Sequence, residues 1–145
     1  MKRLLSLLIA VAAISGCGSS NSSTVSTLKT ISISRGGGVS GAYNGYSITS
    51  EGKVTKWLQM PAEGKKVTDL FTTTSDSASF FFRYLDESGF RTTEFSTPGN
   101  MTTVIQLDSG SMSHSIKWGN PEVTPPLIFQ SFYDLLSNYI QRRSK

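Results

Sequence analysis

Two runs near the C-terminus, "MTTVIQL" (101–107) and "MSHSIKW" (112–118), flank the turn-forming stretch Asp108-Ser109-Gly110-Ser111. Apolar and polar residues alternate along both, the period of a strand with one buried face. Pairing across a four-residue turn sets Leu107 opposite Met112, Ile105 opposite His114, Thr103 opposite Ile116 and Met101 opposite Trp118. These eight share one face. Thr102, Gln106, Ser113, Ser115 and Lys117 share the other, with Val104 the exception. A one-residue slip would mix the two sets, so this hairpin constrains the fold more than any other segment.

The rest of the chain supplies elements for that hairpin to pack with. "LKTISIS" (28–34) alternates Ile31 and Ile33 with Ser32 and Ser34 and predicts a half-buried strand. "YSITSEGKVTKWLQM" (46–60) reads as a hairpin turning at Glu51-Gly52. Val54, Leu58 and Met60 share a face with Lys56, and Trp57 points the other way. "SDSASFFFRYLDESG" (75–89) is periodic as a helix, with Ala78, Phe81, Phe82 and Leu85 on one stripe; as a strand it alternates less cleanly. Ser75 and Asp76 suit the start of that helix and Gly89 its end. Phe90–Phe95 is expected to form a short strand. Thr124-Pro125-Pro126 opens a last helix, Thr as N-cap and Pro at the first position, with Ile128, Phe132, Leu135, Leu136 and Tyr139 as its apolar stripe. Arg142, Arg143 and Lys145 follow at the end favourable to positive charge. The expected class is α+β: a mainly antiparallel sheet of about five to six strands with two helices packed on one face.

The N-terminus carries a different message. "MKRLLSLLIAVAAISGC" joins a basic start, Lys2-Arg3, to an apolar run from Leu4 to Ile14. The run falls short of the roughly 20 residues that span a bilayer and has the proportions of a secretory signal. Its ending, Ile14-Ser15-Gly16-Cys17, resembles the lipobox of bacterial lipoproteins. The resemblance implies a signal peptide over 1–16, removal before Cys17, and fatty acylation of that cysteine. Gly18, where inner-membrane lipoproteins tend to have Asp, favours the outer membrane. Several acyl chains on one residue would hold a protein on the membrane surface without spanning it. The Ser-rich "GSSNSSTVST" (18–27) reads as a flexible tether, so the expected organisation is signal 1–16, tether with lipidated Cys17 over 17–27, and a single domain over 28–145.

Cys17 is the sole cysteine, so a lipidated chain has no thiol left for a disulfide. Loss of Lys2 and Arg3 lowers the basic count from 14 to 12 against 10 acids, and no run of like charges points to nucleic acid. "RGGGVSGAYNGY" (35–46) matches the G-x-G-x-x-G fingerprint at Gly36, Gly38 and Gly41. A dinucleotide site needs a helix after the glycines, and a hairpin pattern follows instead. No nucleotide and no cofactor is therefore expected. Glycines between strands make a bulged or wide turn, or an edge of free backbone groups that docks into a partner.

His114, the one histidine, lies on the apolar face and reads as a hydrogen-bonded, partly buried side chain more readily than as a general base. One histidine and singly scattered acids do not suggest a metal site. Trp57 and Trp118 are core residues or interface anchors, with Trp57 the better candidate for exposure.

"ISISRGGGVSG" before a hairpin, and "VIQLDSGSMSHSIKW" before a proline-led helix, resemble emfourin-type proteins, small bacterial inhibitors of thermolysin-like metallopeptidases. Their strand runs into Arg-Ser-Gly-Gly-Phe-Ala-Gly. Here Arg35, Gly37, Gly38 and Gly41 match, Gly36 stands for Ser, Val39 for Phe and Ser40 for Ala. The resemblance implies a non-enzymatic partner-binding edge over Arg35, Gly36, Gly37, Gly38 and Gly41, aided by Trp57, with a peptidase as partner. The competing expectations are a cell-wall hydrolase using His114 or carboxylates, and a structural component of the envelope.

Overall fold

The structure, a computed structural model, describes residues 28–145. The segments expected to be signal (1–16) and tether (17–27), Cys17 included, lie outside the described residues.

The order is β1 (Lys29–Gly37), β2 (Ala42–Thr49), β3 (Lys53–Met60), β4 (Gly64–Thr72), helix α1 (Ser75–Glu87), a 3-10 turn (Phe90–Thr92), β5 (Ser96–Thr97), β6 (Met101–Ser109), β7 (Met112–Trp118) and helix α2 (Leu127–Arg143). The strands form one sheet in the order β4-β3-β2-β1-β6-β7-β5. All its pairings are antiparallel except the short β5–β7 contact. The class is α+β, as expected.

Alternation decides which face the helices cover. Cross-strand rows Val54–Ile48–Ile31–Leu107 and Ile33–Ile105–Ile116 put one aliphatic set on a single face. Ala78, Phe81, Phe82 and Leu85 of α1 and Phe129, Phe132, Leu136 and Ile140 of α2 close over it to form the core. Edge-on rings lock the two helices together, Phe81 against Phe132 at 6.2 Å between ring centres and against Tyr139 at 5.1 Å. Among the described residues no helix covers the other face.

Several expectations need correction. The β6–β7 pairs are Leu107 with His114, Ile105 with Ile116 and Thr103 with Trp118, two residues away from the expected register. Ser109 pairs with Met112, so the turn is Gly110-Ser111 alone. Gly110 supplies the positive φ (60°) that the first central position of a type II′ turn needs, and this tight turn wins over the four-residue one. A shift of two keeps every side chain on its expected face. β4 was not foreseen: from Gly64 to Asp69 it is exposed on both faces, so it carries no alternation. It is an edge strand, and Lys65, Lys66 and Asp69 suit that position. Phe90–Phe95 is not a strand. Gly89 turns left-handed (φ 72°), its carbonyl accepts from the Thr92 and Thr93 amides, and the chain coils once to bury Phe90.

At α1 the N-cap is Thr74, whose hydroxyl accepts from the Ser77 amide, one residue before the expected start. At α2 the helix begins after Pro126, without a side-chain cap. Its buried stripe is Phe129, Phe132, Leu136 and Ile140, while Ile128 and Leu135 are exposed. Both stripes have helical spacing. The aromatic one meets the Phe81 and Phe90 rings, which settles the rotation of the helix.

Candidate functional site

The glycine segment divides into two parts. Arg35, Gly36 and Gly37 belong to β1 and pair on both sides, with Asn44, Tyr43 and Ala42 of β2 and with Thr103, Thr102 and Met101 of β6. Only Gly38 to Gly41 form the loop. Its conformation requires glycine: Gly38 (φ 66°) and Gly41 (φ 60°) are left-handed, and the Gly38 amide donates to the Asn100 carbonyl at 2.6 Å. Gly37 (φ 114°) lies so close to that carbonyl that a Cβ would sit 2.5 Å from its oxygen. The Ser40 hydroxyl accepts from the Ala42 amide. The result is a pinned turn with Val39 fully exposed at its tip.

The expected contact residues therefore do not form one patch. Arg35 is exposed on the helix side, beside Thr103, Trp118, Tyr133 and Asp134. There burial raises the Tyr133 phenol pKa, and the Arg35 charge partly opposes the rise. Gly36 is buried within the sheet. Trp57, expected as the more exposed tryptophan, is buried at 7% exposure. It lies on the helix-free face, but two contacts remove it from solvent. Its ring leans over Gly45, where a Cβ would meet Cζ2 at 2.8 Å, and the Lys65 ammonium sits 4.2 Å from the ring centre. Its indole N–H donates to the Ser47 hydroxyl at 3.0 Å, and Ser47 in turn shares a hydrogen bond with Ser32. An exposed cation–π contact contributes only about 0.5–1 kcal/mol, so Lys65 is a removable cover.

A second glycine repeats the device. Tyr43 crosses Gly36, whose Cβ would meet its Cγ at 2.7 Å. Glycine opposite an aromatic on the next strand thus recurs, at Gly36–Tyr43 and Gly45–Trp57. Both rings lean across the sheet instead of standing off it.

Between these rings and β7 lies an open depression of about 400 Å³. One cross-strand row makes its floor: Trp57–Gly45–Ser34–Val104–Lys117. The middle residues are small and the end residues large, so the row is hollow at its centre. Tyr43 and Gln59 border it on one side and Gln106 on the other. Ser34 is 6% exposed, and its hydroxyl makes no hydrogen bond with any described residue. Gln106 donates to Asp108 and Ser113, which leaves its side-chain carbonyl free to accept. Of the contact residues expected from the sequence, Gly41 and Trp57 line this depression; its other lining residues were not singled out as contacts. The signal that could have found them is the pair of strand-internal glycines facing aromatics, which becomes visible only once strands are paired.

His114 is held by its surroundings. Its Nε2 bonds to the Thr93 carbonyl at 2.9 Å, and its ring meets Phe90 edge-on at 5.1 Å, with Phe129 of α2 beyond. No hydroxyl or carboxylate among the described residues is hydrogen-bonded to it. No group of three or more His, Cys, Asp or Glu side chains among the described residues could hold a metal ion.

No family model matches this chain, and no curated protein matches it.

Proposed function

We propose that the chain is a lipid-anchored protein of the bacterial cell envelope, favouring the outer membrane, and that its domain binds a partner without catalysing a reaction. The sequence Ile14-Ser15-Gly16-Cys17 at the end of a short apolar run, followed by a Ser-rich tether, carries this reading. Acyl chains on Cys17 attach the domain, and the tether gives it reach. Cys17→Ser abolishes incorporation of labelled fatty acid; continued labelling overturns the anchor.

The partner proposed is a thermolysin-like metallopeptidase. The likeness of Arg35–Gly41 to the emfourin segment supports it. So does the shape of the β1–β2 tip: a turn pinned by the Gly38–Asn100 hydrogen bond, with an apolar side chain fully exposed. A preorganised tip loses little freedom on docking, which favours affinity. The purified domain inhibits such an enzyme at micromolar concentration, and Val39→Asp removes the inhibition while the melting temperature stays unchanged. Absence of inhibition by the parent protein removes the peptidase reading and leaves the anchor standing.

A further inference from the structure

We propose that the depression on the helix-free face is a carbohydrate site that takes one acidic sugar unit of an oligosaccharide. This inference rests neither on the lipid anchor nor on the peptidase reading.

The unpartnered groups choose the ligand class. Ser34 lines the floor, and its hydroxyl, which makes no hydrogen bond with any described residue, stays reachable from the open depression. A hydroxyl left to water at the bottom of a depression can exchange that water for a polar group of a ligand. Around it stand the Tyr43 phenol, the Gln59 amide and the Gln106 carbonyl oxygen, none bonded to a described residue. These are donors and acceptors without formal charge, spaced around a small hollow, and they match a molecule carrying many hydroxyls. Lys117 is the exception. It is exposed at the end of the floor row and makes no ion pair among the described residues. A carboxylate on the sugar would meet it.

The aromatics fit the same occupant. A sugar presents polar edges and apolar C–H faces. The Tyr43 ring lies across Gly36 at the border of the hollow, and Trp57 would offer its outer face once Lys65 swings away. A flat peptide strand would instead require a free sheet edge, and the floor strands β3, β2, β1, β6 and β7 are all paired on both sides.

Nitrogen-15 NMR on the full-length chain in detergent tests this. Trigalacturonate shifts the Trp57 indole N–H and the side-chain amides of Gln59 and Gln106, and leaves the Trp118 indole on the opposite face unmoved. Cellotriose binds more weakly than trigalacturonate. Lys117→Gln lowers trigalacturonate affinity about tenfold, the scale of one lost charge-assisted hydrogen bond. Gln59→Ala, on an exposed side chain, weakens binding of both sugars. Three results overturn the proposal: no shift with either sugar at millimolar concentration, shifts centred on Trp118 or the helices, or binding of a glutamate-rich peptide at these resonances without sugar binding. Equal affinity for the two sugars overturns the acidic assignment.

Discussion

The same strands make both faces of the sheet, yet the faces are held differently. The covered face is aliphatic and dry: Ile31, Ile33, Ile48, Ile105 and Ile116 are fully buried against aromatic helix residues. Its stability comes from apolar area removed from water and from close packing. The open face is built from serines, glutamines and glycines, with Tyr43 and Trp57 laid across Gly36 and Gly45. There the order comes from hydrogen bonds and from backbone left bare for a ring to cover. The first face can be mostly saturated by the protein itself. The second leaves the Ser34 and Tyr43 hydroxyls and the Gln59 amide without a hydrogen bond to any described residue.

The largest effect expected from this difference is on the covered face. Phe132→Ala removes a fully buried ring at the α1–α2 contact and lowers stability by about 3–5 kcal/mol, read by chemical denaturation. Gly45→Ala tests the open face by adding rather than removing volume. Its Cβ would lie 2.3 Å from the Ile33 carbonyl oxygen, and the expected loss is about 1–3 kcal/mol, with the Trp57 indole resonance shifted. A neutral result would show that Trp57 does not need the bare backbone. Ser47→Ala leaves the indole N–H without its acceptor and costs about 1 kcal/mol. Lys117→Gln, on an exposed side chain, stays within about 0.5 kcal/mol of the parent in stability.

Alkaline titration probes the rim of the covered face. The folded-state pKa of Tyr133 is raised above 10.0 by burial. Above pH 10.0 the unfolded chain therefore ionises first, and the folded chain holds more protons. Stability contributed by the neutral phenol is present below pH 10.0 and falls as pH rises through the folded value. Tyr133→Phe flattens that limb of the stability–pH curve.

Much of the covered face was legible in advance. Alternation in 28–34 and 101–118 assigned Ile31, Ile33, Ile105, Leu107 and Ile116 to one side, and the helical period picked Ala78, Phe81, Phe82 and Leu85. These patterns are visible because burial on one face imposes them on the chain. β4 was not legible, because an edge strand exposed on both faces has no such pattern to impose. The stripe of α2 was misplaced because two sets of residues have helical spacing, and only the rings opposite choose between them. The depression was missed for a related reason. Its floor takes one residue from each of five strands, and apart from Trp57 each is unremarkable in its own segment.

By itself, the sequence determined which strand residues share a face and where glycine must allow a left-handed turn. Tertiary structure decided which residues meet. A period of two is unchanged when a strand slides by two, so alternation names the face but leaves the partner open. The tight Gly110-Ser111 turn and the packing of rings on Gly36 and Gly45 supply the missing choice. With it they bring Ser34, Tyr43, Trp57 and Lys117 around one hollow.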